Sequence, residues 1–237
     1  MITFKNIAVG YRNPLFEVEE LTLNSGQLVS LIGPNGSGKT TFLNTLLGII
    51  KPLQGEIFVD ERSTDNMIQK DRVKIFSHVS SKFEGVNHLT VYELIALGRA
   101  PYTNLLNILR PEDHEIINSI IEQLGLTHLK DKFTTSISDG ERQIAMIGKA
   151  LAQQSKIIIL DEPTAFLDYA NRIKVIKLLK DIAINQGKII LLSTHNIELG
   201  LEYSSTILAV TPKHKFLKVF PSAIEKEVLI HEVFDVG

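Results

Sequence analysis

Eight consecutive residues constrain this chain more than any others: Gly33-Pro34-Asn35-Gly36-Ser37-Gly38-Lys39-Thr40. They satisfy the pattern G-x-x-x-x-G-K-[ST]. They lie between a short apolar run, Leu28-Val29-Ser30-Leu31-Ile32, and a stretch from Thr40 to Leu47 with helical spacing and Gly48 as its stop. A buried strand passing through such a loop into a helix is the setting in which the pattern binds phosphate. Glycines let successive backbone N–H groups turn towards phosphate oxygens, and the helix N-terminus adds partial positive charge. Lys39 is expected to reach the β- and γ-phosphates, and the Thr40 hydroxyl to face a Mg²⁺ ion. The plain alternative, a Gly-rich structural turn, is disfavoured by the strand before the loop and the helix after it.

Binding a nucleotide is not hydrolysing it. Hydrolysis needs a further carboxylate at the metal and a group that acts on water. Ile157-Ile158-Ile159-Leu160-Asp161-Glu162 is an apolar strand ending in two acids. It would place Asp161 beside the metal and let Glu162 polarise the attacking water. Alone such a strand is ambiguous, because an acid after a buried strand also caps helices. The phosphate loop is what gives it weight.

The remaining chain supports an α/β organisation. Its 237 residues, 44% hydrophobic and 22% charged, suffice for one sizeable domain or two small ones without disulfides. The absence of cysteine excludes thiolate nucleophiles and Cys-ligated metal centres. With 25 Lys and Arg against 27 Asp and Glu, nothing marks a nucleic-acid partner. The start, Met1 to Asn6, lacks the features of a secretory signal, and no apolar run approaches the roughly 20 residues of a membrane span. The expectation is therefore a cytosolic chain whose membrane business, if any, falls to a partner.

Alternation at Ile2 and Phe4, and at Phe16 and Val18, predicts early strands separated by turns at 12–14 and 24–26. Glu56–Val59 and Val73–Phe76 add two strand candidates, and runs at 157–160, 189–192 and 206–210 alternate with a helix over about 169–186. One face of that helix would carry Ile173, Ile176, Leu179 and Ala183. From Leu89 to about Gln154 the periodicity is helical, with Thr90 and Ser138 as N-caps and Pro111 near a helix start. The reading is a parallel-sheet core interrupted by an antiparallel β portion and a helical insertion. Residues 1–80 and 156–237 would form the core with its β portion, and about 81–155 the helical part.

Ile137-Ser138-Asp139-Gly140-Glu141-Arg142-Gln143, upstream of the Asp161-Glu162 strand, is similar to the signature of ABC-type ATPases, commonly Leu-Ser-Gly-Gly-Gln. Pro163-Thr164-Ala165-Phe166-Leu167-Asp168 resembles that family's D-loop, and Ser193-Thr194-His195 its switch histidine. Tyr11, ahead of the phosphate loop, resembles the aromatic residue that stacks on adenine. The resemblance covers nearly the full length. It implies a phosphate-loop NTPase with a RecA-like core, ATP and Mg²⁺ as ligands, Glu162 and His195 as catalytic residues, and Thr41 among the nucleotide contacts. It further implies a head-to-tail homodimer in which Ser138, Gly140 and Asp168 of one copy complete the other copy's site. Integral membrane permease subunits would be direct partners and a substrate-binding protein an indirect one, at the cytoplasmic face of the cell membrane.

Two positions depart from the family pattern. Asp139 stands for the first signature glycine and brings a carboxylate towards a polyanion, unfavourable unless the side chain turns away or is itself bonded. The family's Q-loop glutamine falls on Ser81, which is too short to replace an amide directly and would hold the metal through a bridging water.

Leu89 to Tyr102, containing Leu97-Gly98-Arg99-Ala100-Pro101-Tyr102, resembles the helical segment of importer ATPases for iron-siderophores, haem and cobalamin. The competing reading of this stretch is an amphipathic helix with a structural Gly-Arg-Ala-Pro break. Only 42 residues follow His195, too few for the regulatory domain common in sugar-importer ATPases, which fits the chelate branch. An exporter ATPase shares the catalytic motifs. A soluble ABC ATPase or a nucleotide-dependent interaction module are further alternatives. The other six histidines show no metal-binding spacing, and Lys213-His214-Lys215 reads as a solvated turn.

Overall fold

The structure is a computed structural model that describes residues 1–81, 88–104, 108–165 and 167–234. Its strands are β1 (Ile2–Gly10), β2 (Pro14–Leu23), β3 (Leu28–Ile32), β4 (Gln54–Val59), β5 (Arg62–Ser63), β6 (Phe76–Val79), β7 (Ile157–Leu160), β8 (Ile189–Thr194), β9 (Thr206–Val210) and β10 (Phe216–Val219). Its α-helices are α1 (Lys39–Leu47), α2 (Gln69–Ile75), α3 (Val91–Ala96), α4 (Pro111–Gln123), α5 (Asp139–Ala152), α6 (Tyr169–Gln186), α7 (Ile197–Tyr203) and α8 (Lys226–Phe234).

Two sheets result. One is antiparallel, in the order β2-β1-β4-β5, and the other runs β10-β9-β3-β8-β7-β6. In the second sheet every neighbouring pair is parallel except β9 with β10. Strands β3, β7, β8 and β9 are buried at every position. Parallel strands covered on both faces read as continuous apolar runs, which is why these were visible in the sequence. Alternate side chains go to opposite faces. Ile157, Ile159, Ile189 and Leu191 join a core shared with α1 and the antiparallel sheet, whereas Ile158, Leu160, Ile190 and Leu192 pack beneath α3 to α6. Burying each stabilises the fold by roughly 1.5–3 kcal/mol.

Helix α1 is wedged between the sheets by Phe42, whose ring stacks on Phe4 at 5.5 Å and meets Phe16 at 6.1 Å. Helix α6 buries Ile176, Leu179 and Ala183 as expected, together with Val175 and Ile182, while Ile173 is half-buried. The expected strand over Val73–Phe76 is a correction: Val73 to Ile75 close helix α2, and β6 starts only at Phe76. Arg72 decides the matter, because its guanidinium donates to the carbonyls of Thr64 at 2.5 Å and Leu46 at 3.4 Å. Asp71 in the first turn and Lys74 in the last also suit the helix dipole. A four-residue run such as Val73-Lys74-Ile75-Phe76 is too short to separate the two periods.

Between β6 and β7 the described residues contain helices and no strand. Thr90 and Ser138 each close a capping box, with Glu93 and Glu141, and Pro111 occupies the first turn of α4. The Gly-Arg-Ala-Pro stretch forms a 3₁₀ turn, Leu97–Tyr102, seated directly on α5. A Cβ on Gly98 would stand 2.1 Å from the Lys149 carbonyl oxygen, a backbone atom held by its own helix. Gly98→Ala should therefore cost about 1–3 kcal/mol by overpacking. For a chain of this size that is a fall of about 5 °C in Tm, readable by thermal circular dichroism.

Candidate nucleotide-binding site

The carboxyl ends of four parallel strands meet at one edge of the larger sheet, the usual place for a ligand in such folds. The register pairs Val79 with Leu160, Leu160 with Leu192, and Ile32 with Thr194. The chain thus leaves β3 into Gly33, β6 into Ser80 and Ser81, β7 into Asp161 and Glu162, and β8 into His195, all at that edge.

The loop from Gly33 to Gly38 curls back on itself. Gly36 and Gly38 adopt φ of +80° and +99°, a region closed to most side chains, and a Cβ on Gly38 would press on Leu15 and Phe16. Lys39 is 7% exposed, and its Nζ donates to the carbonyls of Gly33 at 2.8 Å and Pro34 at 3.0 Å. Burial pushes its ammonium below the ordinary lysine value, opposed by the charges of Glu162 and Asp161. Gly38 caps α1 without a side-chain acceptor, so the first N–H groups of that helix point into the loop. The buried Ser37 Oγ has no partner. A polyphosphate, rich in acceptors, fits a cradle that gathers a buried ammonium, an unpartnered hydroxyl and the first N–H groups of a helix. Thr41 is buried behind this loop, and Asn35 lies exposed at its tip.

A second set of contacts joins the loop to the acids. Thr40 Oγ1 donates to Asp161 Oδ2 at 3.0 Å. The other oxygen, Oδ1, accepts from Ser193 Oγ at 2.6 Å, and Ser193 Oγ in turn accepts from the Glu162 N–H at 2.8 Å. Glu162 holds φ of +46°, an uncommon conformation for a non-glycine residue, and its Oε2 stands 3.5 Å from His195 Nδ1. A hydroxyl and a carboxylate oxygen side by side are hard ligands suited to Mg²⁺, which binds through one or two protein groups plus substrate phosphates and water. Among the described residues no group of three or more His, Cys, Asp or Glu is gathered as a dedicated metal cage.

The signature segment opens α5. Ser138 is its N-cap: the hydroxyl accepts from the Glu141 N–H, and both the hydroxyl and the Ser138 N–H donate to Glu141 Oε2. Asp139 is not left facing outward alone. Its Oδ1 accepts from Arg142 at 2.7 Å, while the same guanidinium donates to the carbonyls of Thr134 and Ile137. Gly140 approaches Asn171 of α6, a Cβ there lying 3.4 Å from its amide. Asp168 caps α6 and accepts from both the backbone and the side chain of Asn171. Asn171 therefore packs close to the signature helix while its hydrogen bonds go to Asp168.

Tyr11 lies in the β1–β2 turn with its side chain 67% exposed, and the next residues of β2, Leu15 and Phe16, rest against Gly38. Ser81 sits half-buried two residues beyond β6, while the partners of the two Asp161 oxygens are Thr40 and Ser193. Phe166, in the D-loop-like segment, lies outside the described residues. Sequence reasoning singled out neither Ser193, Arg142 nor Asn171 by role. The one available signal was a pair of polar residues, Ser193 and Thr194, at the end of an otherwise apolar strand.

A strand-loop-helix cradle for phosphate, with paired acids at the end of β7, one strand removed from β3, defines a phosphate-loop nucleotide hydrolase. The comparisons make this particular: residues 17–165 match the ABC transporter family model, and the chain belongs to that family. It is an ABC-type ATPase. It is 34% identical over 238 residues to an uncharacterized ABC transporter ATP-binding protein of Methanocaldococcus jannaschii, covering 100% of this chain and 82% of that protein. It is also 34% identical over 221 residues to the petrobactin import ATP-binding protein FpuC of Bacillus anthracis, covering 92% and 80%. Among solved structures, a chain of an inward-facing metal-chelate type ABC transporter superposes with a TM-score of 0.87 at 30% identity, covering 99% of this chain and 88% of that one.

Proposed function

We propose that this ATPase powers import of an iron chelate, haem or cobalamin through a separate membrane permease, acting at the cytoplasmic face of the membrane. The observation that carries the reading is the nearly full-length likeness, in sequence to a petrobactin import protein and in structure to a metal-chelate type transporter. No helix among the described residues is long and apolar enough to cross a membrane, which suits a subunit that docks on one. In this reading residues 1–80 and 156–237 form the nucleotide-binding core with its β portion, and residues 81–155 the helical part that faces the permease.

Each site residue then has a task. Lys39 and the backbone N–H groups of the loop from Asn35 to Thr41 hold the phosphates, and Tyr11 offers its ring to the adenine. Mg²⁺ would be held by Thr40 directly and by Asp161 and Ser81 through water, and it would supply charge neutralisation at the phosphates. Glu162 polarises the attacking water and accepts its proton, and His195, 3.5 Å from that carboxylate, positions the water and the terminal phosphate.

Ser138, Gly140 and Asp168 serve a second copy of the chain. The sequence holds one phosphate loop, so two copies arranged head to tail give two sites. The test is ATP turnover by this chain in vesicles with the permease that co-purifies with it, and with a ferric chelate and its binding protein added. Stimulated turnover with chelate uptake supports the reading; co-purification with ribosomes or DNA, or uptake independent of this chain, overturns it.

Asp139 supplies a separate expectation. Its pair with Arg142 is solvent-exposed and contributes at most about 1 kcal/mol. Asp139→Gly should thus leave Tm nearly unchanged. By removing a carboxylate from the surface offered to the second copy's nucleotide, it should strengthen ATP-dependent dimerisation several-fold, as read by analytical ultracentrifugation.

A further inference from the structure

We propose that Ser193 is a positioning residue that fixes the carboxylate of Asp161 and the backbone of Glu162 with a single hydroxyl. This rests on the reading of Asp161 as the metal carboxylate and Glu162 as the group acting on water.

Ser193 is wholly buried, with 0% exposure, near the end of β8. Leu160 pairs with Leu192, so the residue after Leu192 faces the point at which the chain leaves β7. There Ser193 Oγ stands 2.6 Å from Asp161 Oδ1 and 2.8 Å from the Glu162 nitrogen. The polarity of these bonds is forced. The amide can only donate, an ionised carboxylate can only accept, and the hydroxyl has one proton, which goes to Asp161 while a lone pair receives the Glu162 N–H.

Two consequences follow for the site. Asp161 is pinned from both sides, Oδ1 to Ser193 and Oδ2 to Thr40, so the oxygen beside Thr40 keeps one orientation. Glu162 is held at φ of +46°, a conformation a glutamate leaves readily when nothing holds its amide. That conformation brings its carboxylate to His195. Ser193 therefore links the geometry of the metal oxygen to that of the proton acceptor. Because Ser193 itself is wholly buried, its hydroxyl is shielded from water on its own side of these partly buried bonds.

The experiment compares Ser193→Ala with the isosteric pair Ser193→Thr and Ser193→Val in the full chain. Turnover is measured against Mg²⁺ concentration, and ATP affinity by calorimetry with and without Mg²⁺. Ser193→Ala should lower kcat at least tenfold and reduce the Mg²⁺-dependent gain in ATP affinity at least threefold, with metal-free affinity unchanged. Ser193→Thr, which keeps the hydroxyl, should exceed Ser193→Val at least threefold in kcat, and this pair decides the matter if Ser193→Ala does not fold. Smaller differences, or a loss confined to Tm, overturn the proposal. Glu162→Gln is run alongside: parental turnover there removes the underlying reading, whereas an inactive Glu162→Gln with parental Ser193 variants removes only the role of Ser193.

Discussion

Glu162→Gln should bind ATP as tightly as the parent yet release phosphate at least about 10³-fold more slowly, the range expected when a general base is lost. The side chains are nearly the same size, and the positive φ at this position is as accessible to glutamine as to glutamate. Fold and loop should thus survive. What disappears is the proton acceptor and one negative charge. Of the two carboxylates that support the Lys39 ammonium against burial, Glu162 has the larger effect, so part of that support goes as well. Removing an anion beside a polyphosphate works in the opposite direction and favours binding. The variant should accumulate an ATP-bound dimer on size-exclusion chromatography, absent with ADP. Phosphate release at the parental rate would take the proton-accepting role away from Glu162.

What the sequence disclosed about this site follows from how local each part is. The phosphate loop needs eight consecutive residues and a helix start, and these lie together in the chain, so pattern alone located them. The acids after β7 and the histidine after β8 were legible because a parallel sheet brings strand ends to one edge. The Ser193 contacts were not. They depend on the register of two strands some thirty residues apart, and a one-residue slip would turn Ser193 to the opposite face. The fate of Asp139 was similarly hidden. An acid near a polyanion looks unfavourable until Arg142, one helical turn on, is seen to take its charge while holding Thr134 and Ile137.

Element type failed in one place, Val73 to Ile75, where a run too short to show its period is made helical by Arg72. The Leu89–Tyr102 segment shows the converse. Its likeness to chelate-importer ATPases and its structural reading are compatible, because Gly98 and Arg99 are constrained by the fold itself. A motif can mark a branch of a family and still consist of packing residues.

Asp113→Asn should destabilise the chain by about 3–5 kcal/mol, the usual result of leaving one member of a buried ion pair without its partner. Arg99 and Asp113 are 6% and 5% exposed, and Nε donates to Oδ1 at 2.7 Å. The guanidinium also donates to the Ala152 carbonyl and to Gln154 Oε1, and it lies over the Tyr102 ring at 4.1 Å. Asp113 Oδ2 accepts from the Arg110 N–H at 2.9 Å. Asparagine can replace one of these acceptor contacts but not the charge.

Burial pushes the Asp113 carboxyl up, but the Arg110 amide and the Arg99 guanidinium outweigh it and hold it below the ordinary aspartate value. The sign of the pH effect follows. The pair's contribution is fully present above the unfolded value of about 3.9 and is lost as pH falls through the lower folded value. Urea midpoints measured from pH 7 downward should therefore show a steeper acid-side loss in the parent than in Asp113→Asn, which keeps only the share of the other depressed carboxylates, among them Asp60, Glu93 and Glu141. Because the pair fastens the 3₁₀ turn at 97–102 to α4 and to the end of α5, the helix that begins at Ser138, the variant should also weaken ATP-dependent dimerisation. Arg99→Met combined with Asp113→Leu should recover most of the stability, since apolar side chains of similar volume can replace a buried pair. A Tm within 2 °C of the parent for Asp113→Asn, against the roughly 10 °C expected, would mean that Arg99 finds its charge partner elsewhere.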